Sequence, residues 1–404
     1  MNYLPLPIER IETGKPLPVN VWDPKGNLLM RKGQVIESEQ HRELLSAHVA
    51  SATEADYKAW ARSYDRLVYS MLRDGLSIDQ IAKALMPSTI LDIDYAVGHD
   101  ITGGWLDMQA VLHGLLYQGR TGKHMIDRLD RVQKRGLELI AADTDSSLFS
   151  LFQALTDPML SYCATHALLA AVLCELTARK LEVPEFVRPV LFLAALSMNI
   201  GMAKEQDLLK RQNAKPDGPQ QELIREHPRI SVEILARHGA VNQDLFDIVS
   251  LHHDIDELRG RSRNLECRRI LRAADVFVAK MAARANRVGL SAIGAAKSSI
   301  IGAVGDDARV KAAMANVIGF YPPGTYVVLA NGERAISVKR GTAANTPLVV
   351  SILSPQGLAL GTYQARDTRD KQFAIRSPVS HDTIRLTIHL DRIARAVSRF
   401  HSTT

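Results

Sequence analysis

The chain has 404 residues, a formal net charge of +6, and 46% apolar and 23% charged residues. That length calls for two or three domains, and the composition is that of a soluble globular protein and argues against global disorder. The basic excess is mild for the size, so it permits an anionic ligand without marking a nucleic-acid binder. Cys163, Cys174 and Cys267 lack CxxC spacing and read as buried thiols of a reducing compartment. The opening MNYLPLPIERIETGK has neither the long apolar core nor the cleavage site of a signal peptide. The most apolar stretch, Val190 to Ile200, is too short to span a bilayer. A cytoplasmic protein that makes no membrane contact is expected.

In chain order, residues 1–50 read as a small β-rich module. Asp23-Pro24-Lys25-Gly26-Asn27 between apolar runs is hairpin turn chemistry, Ser38 is the N-cap of a closing helix to His48, and Trp22 belongs to the core. From 54 to 142 the pattern is helical and reads as a connector suited to dimerisation or signal transmission. It has helices in DYKAWARSYDRLVYSML, from Ser77, from Trp105 to Tyr117 and in GKHMIDRLDRVQKRGLELIAA. GLSIDQIAKAL has the outline of a helix-turn-helix, but Pro87 ends it and no Arg-, Asn- or Gln-rich recognition helix follows, so DNA is not an expected partner. His99, His113 and His124 stand isolated, as surface or core residues.

Asp143 caps SLFSLFQAL and opens a central helical domain over 143–319. Its helices run from Tyr162 to Leu181 (apolar nearly all round, hence buried), Phe186 to Ile200, Pro219 to His238, Gln243 to Asp256 and Glu266 to Arg284. Shorter ones lie near 291–304 and 306–318. Residues 320–404 change register to a small β-rich module with hairpin turns at Asn331-Gly332 and Pro355-Gln356-Gly357, then a last helix after Leu390. The expected fold is mainly α, a helical bundle flanked by small β-rich modules at both ends.

Chemistry concentrates in the central domain. His166 in CATHALLAAVL, His227-Pro228 in REHPRIS, His252-His253 in SLHHD and Asp275 in RILRAADVFVAK follow one another inside apolar segments. Neutral imidazoles and a carboxylate converging on one place are what a transition metal requires. The other reading of His252 and His253 is as buried hydrogen-bonding residues between helices. The order of these residues resembles that of an HD-GYP domain, a subfamily of the HD-type metal phosphohydrolases known for cleaving cyclic di-GMP. The resemblance covers roughly 145–320. It implies one metal on His227, His252 and His253, and a second on the His166 and Asp275 positions together with a His-Asp pair.

That pair is absent, because Met198-Asn199 stands in its place. Met202 stands at the position of the family's phosphate-contacting lysine, and Tyr162 where some members carry a further metal-binding glutamate. The Gly-Tyr-Pro loop is also missing, with only 22 positions separating His253 from Asp275. The chain thus resembles a degenerate HD-GYP protein, catalysis being lost at Met198, Asn199 and Met202. It should hold at most one divalent metal (Fe, Mn or Zn) at His227, His252 and His253, with His166 and Asp275 left as remnants. The function implied is that of a nucleotide receptor or protein-interaction module in cyclic-di-GMP-type signalling, with a protein partner or a homodimer. An active phosphodiesterase on a reduced metal site is the alternative. Six arginines crowd where the loop would be: Arg259, Arg261, Arg263, Arg268, Arg269 and Arg272. They read as a solvated basic loop or as a nucleotide-binding one.

Overall fold

The structure is a computed structural model, described at residues 3–73, 77, 80, 83–90, 104–158, 160–255, 260–285, 287–380, 383–384, 388 and 390–403. His99, Arg259 and most of the helix expected from Ser77 lie outside the described residues. The chain divides into two compact units, Met1–His99 and Asp100–Thr404. The division falls inside the stretch 54–142 expected as one connector.

In the first unit, β1 (Tyr3–Pro5), β2 (Val21–Trp22), β3 (Leu28–Met30) and β4 (Ser51–Thr53) form an antiparallel sheet of order β1-β4-β2-β3. Asp23 makes the β2–β3 turn: its carboxylate accepts from the backbone of Lys25 (2.9 Å) and Asn27 (2.8 Å). Ser38 caps α1 (Glu39–Ala47) by accepting from His41 N. Leu17, Val21, Ile36 and Leu45 pack with Trp60 of α2 (Glu54–Arg73) to form the core. Trp22 is buried, as a core residue should be. β4, which lies between β1 and β2 in the sheet, has too short an apolar run to be legible as a strand.

The second unit is built on α6 (Tyr162–Lys180), after α3 (Trp105–Gln118), α4 (Met125–Ala142) and α5 (Thr144–Thr156). Every residue of α6 from Tyr162 to Ala178 is buried, since its Ala, Leu, Val and Cys residues cover all faces and it must pack on all sides. The bundle continues with α7 (Arg188–Ser197), α8 (Ala203–Arg211), α9 (Gly218–Arg237), α10 (Gln243–Ser250), α11 (Leu265–Met281), α12 (Ala292–Ile300) and α13 (Gly305–Ile318), of which α7, α8, α11 and α13 pack directly on α6. Each fully buried leucine of α6, such as Leu168 or Leu173, contributes roughly 1.5–3 kcal/mol of transfer free energy. Asp143 and Asn242 cap α5 and α10 with their side chains. The charged run AKEQDLLKR, which hides its helical period, forms α8. The three cysteines are free and buried.

The C-terminal part is an antiparallel sheet of order β8-β7-β6-β5-β9, from β5 (Tyr326–Leu329), β6 (Arg334–Lys339), β7 (Leu348–Leu353), β8 (Ala359–Asp367) and β9 (Ile375–Val379), with α14 (Leu390–Thr403) on β8. It docks on α5 through Arg340–Asp145 and through Gln153 Nε2, which donates to Gly324 O (2.6 Å). Gly324 is required there: its φ is +90° and a Cβ would meet Phe149 O at 2.7 Å. A mainly helical bundle with small antiparallel sheets is therefore what this sequence forms. Among the described residues no helix is long and apolar enough to cross a membrane.

Candidate metal centre

Three imidazoles meet at one place. The ligating nitrogens of His227, His252 and His253 all lie within 4.8 Å of one another, and their ring centroids are 4.0–5.3 Å apart. His227 comes from the middle of α9. His252 and His253 come from the turn after α10, because that helix ends at Ser250 instead of running to Asp256 as its apolar period implied. Leaving the helix lets two adjacent residues turn toward the same neighbour, which neighbours in an α-helix, about 100° apart, cannot do.

The backbone sets the tautomer of both buried rings. His227 Nδ1 lies 2.6 Å from Ile224 O, and His252 Nδ1 lies 2.7 Å from Val249 O. A carbonyl only accepts, so each Nδ1 carries the proton and each Nε2 keeps its lone pair. Both acceptors are carbonyls the helix cannot use. Ile224 O would bond to the N–H of residue 228, and Pro228 has none. Val249 O lies in the last turn of α10, where carbonyls have no helical donor. The freed Nε2 atoms of His227 and His252 are buried and have no hydrogen-bond partner. An orphaned buried acceptor costs roughly 1–3 kcal/mol, and two side by side fit a metal ion that would take both.

Burial, with His253 beside it, holds His227 down to about 4 against the opposing bond to Ile224. Burial, then the charges of His253 and His227, holds His252 down to about 3. Burial also pulls His253 below the ordinary histidine value. All three imidazoles are neutral near pH 7, as a ligand set must be. His253 is the exposed member, and its carbonyl accepts from Arg272 of α11, which steadies the double-histidine turn.

His166 and Asp275 do not join this group. Tyr162 O–H donates to His166 Nδ1 (3.0 Å), and His166 Nε2–H donates to Asp275 Oδ1 (2.9 Å). One neutral tautomer satisfies both bonds and leaves no lone pair on the ring. Burial alone would raise the Asp275 carboxyl, but the bond from His166 and the charges of the nearby histidines hold it well below the usual carboxylate range. Met198 is fully buried at the C-cap of α7, its carbonyl accepting from Ser231 Oγ (2.7 Å). Asn199 is buried, and Met202 is half-buried at the N-cap of α8. Gly201 lets this turn lie directly on α9, since a Cβ there would meet His227 O at 2.7 Å and Ser231 N at 3.0 Å.

The described arginines of the short loop are not a loose basic cluster. Arg263 makes a bidentate pair with Asp244 (2.7 Å), and Arg261 reaches the same carboxylate (3.3 Å). Arg268 is buried beneath them beside Asp247, and Arg269 pairs with Asp306 (2.9 Å). Asp244 and Asp247, at the start of α10, were passed over in the sequence. Also passed over was Asp207 of α8, whose buried carboxylate accepts from Tyr117 (2.7 Å), Ser161 (2.9 Å) and the backbone of Cys163 (2.7 Å), pinning the start of α6.

Residues 163–280 match the family model of the HD domain. His166, His227, His252, His253 and Asp275 all lie inside the matched residues, and Tyr162 immediately precedes them. No curated protein matches the chain. Among solved structures, Bd1817, a HDG"Y"P protein from Bdellovibrio bacteriovorus, is similar at a TM-score of 0.41 and 13% identity, over 77% of this chain and 98% of that one.

Proposed function

We propose that this chain is a catalytically reduced HD-type protein that holds one divalent transition metal (iron, manganese or zinc) on His227, His252 and His253. Its role would be that of a nucleotide receptor or protein-interaction module in cyclic-di-GMP-type signalling. The observation that carries this reading is an asymmetry of bonding. His227 and His252 each keep an unbonded, buried Nε2, whereas both nitrogens of His166 are bonded. Met198 and Asn199 offer a thioether and a neutral amide where a bridging carboxylate would be needed to hold two cations together.

When bound, such an ion polarises a water or a phosphate oxygen. The chain's own residues prepare for it. Ile224 and Val249 orient two ligands, Arg272 holds the carbonyl of the third, and exposed His253 faces the approach from solvent. Phosphate binding by Arg261 and Arg263 would have to compete with Asp244.

A second reading, an active metal-dependent cyclic di-GMP phosphodiesterase, is favoured by the exposure of His253. Three histidine ligands with one edge open leave coordination positions for water and substrate. Metal-supplemented protein mixed with cyclic di-GMP separates the two, with the His252→Ala, His253→Ala variant as control. The first reading predicts a saturable heat of binding and no hydrolysis. Hydrolysis that disappears in the variant establishes the second. The absence of both binding and hydrolysis would contradict the receptor and the phosphodiesterase and leave only the protein-interaction module.

A further inference from the structure

Away from the histidines, the unit 100–404 holds a half-open cavity of about 750 Å³ between the bundle and the C-terminal sheet, which none of the three metal-centre histidines lines. Its walls come from the end of α5, the start of α6, the turn after α11 and the edge of the sheet. Phe152, Leu155, Leu160, Phe320 and Tyr326 make them largely apolar. The walls rest on a close approach: Gly289, in the turn after α11, could carry no Cβ, since one would lie 2.1 Å from Met281 O.

Three cations, Lys210, Arg211 and Arg284, face this space, and no Asp or Glu is among its described lining residues. None of the three is in an ion pair with a described residue. Asp207 and, more weakly, Asp157 act on Lys210 through space, and the Asp207 oxygens also accept from Tyr117, Ser161 and Cys163. Lys210 stands 5.0 Å over the Tyr162 ring and is partly desolvated, which lowers its ammonium below the ordinary lysine value. A half-buried ammonium at the rim of an apolar cavity, with two solvent-exposed guanidinium groups beside it, presents positive charge that a bound anion would neutralise.

We propose that this cavity is a binding site for an amphipathic organic anion, with an aliphatic or aromatic body among Phe152, Leu155 and Tyr326 and an acidic head on Lys210, Arg211 and Arg284. The volume is in the range of small-molecule sites, roughly 300–1,000 Å³. The described lining argues against a nucleotide: among the described residues it offers hydroxyls but no Asn, Gln, Asp or Glu with which to read a base edge. The site is also placed to be felt at the HD segment. Tyr162 forms part of the wall while its O–H holds His166, which holds Asp275.

Calorimetry with decanoate, decyl phosphate, decanol and decyltrimethylammonium on the full chain tests this. Saturable binding of one decanoate or decyl phosphate per chain is expected, with the alcohol and the cation at least about tenfold weaker. The preferred head group distinguishes a carboxylate from a phosphate ligand. Lys210→Gln combined with Arg284→Gln should weaken the anion by about tenfold or more and leave decanol unchanged. No saturable anion binding, or decanol bound as tightly as decanoate by the unaltered protein, would overturn the proposal. The last comparison needs no variant, so a misfolded double mutant would not blunt it.

Discussion

The Nδ1 of His227 lies 2.6 Å from the carbonyl oxygen of Ile224, the acceptor that α9 leaves open because Pro228 has no N–H. The His-Pro pair thus works as one device: the proline frees a carbonyl, and the carbonyl fixes which nitrogen of the histidine keeps its lone pair. Pro228→Ala would restore the backbone donor and make it compete for Ile224 O. Stability should rise by about 1–3 kcal/mol as an interior helix proline is removed. Metal affinity should fall by about tenfold, as for other losses of a partner behind a ligand. Thermal melts and a metal titration on the same samples read the two opposite signs. A rise in both would mean that Ile224 does not control the tautomer.

Gly201 tests the other support of this ring. A Cβ at this position would lie 2.7 Å from His227 O, and backbone cannot swing aside as a side chain can. Gly201→Ala should therefore cost roughly 1–3 kcal/mol of stability and weaken metal binding as α9 shifts. An alanine variant as stable as the parent would show that the 200–202 turn and α9 are not in register as described.

Much of this centre could be read from residues alone, and the parts that could not have identifiable causes. The order His166, His227, His252-His253, Asp275 is local to each segment and needed no coordinates. The proline device and the Tyr162–His166 bond follow from spacings of four along a helix, so they were within reach of the sequence too. The early end of α10 was not, because apolar residues continue at helical intervals through Ile255 while the backbone turns away after Ser250. The pairing of Arg261 and Arg263 with Asp244 joins residues 17 and 19 apart, and Asp207 meets Tyr117 across 90. Such contacts are made by packing, which no pattern of charge predicts. The β-rich character of both small modules was legible from turn chemistry, but β4 and β9 were not, being short or interrupted by Pro378.

The C-terminal sheet carries a pH-dependent tie. Glu333 accepts from both arms of Arg366 (2.9 and 3.0 Å) and from Ser351 (2.6 Å). Burial pushes its carboxyl up, but these donors win and hold it below the ordinary glutamate value. A carboxyl depressed in the folded state stabilises above its unfolded pKa, and that contribution is lost as pH falls through the folded value. Glu333→Gln should therefore melt lower than the parent near pH 7. The gap should close between about pH 5 and about pH 3. A gap that stays constant over that range would show that the Glu333 charge contributes nothing to the sheet.

The most direct test of the whole account is the metal content of the purified chain after saturation with iron, manganese or zinc and removal of excess, in the parent, His166→Ala and His252→Ala. His166→Ala should lose stability, on the order of 3 kcal/mol, because it strips Asp275 of its partner, yet keep its ion. His252→Ala should keep none. The account predicts a single ion per chain in the parent and in His166→Ala. Two ions in the parent, or loss of metal from a folded His166→Ala, would contradict it, because His166 and Asp275 would then be ligands and not a closed hydrogen-bonded pair.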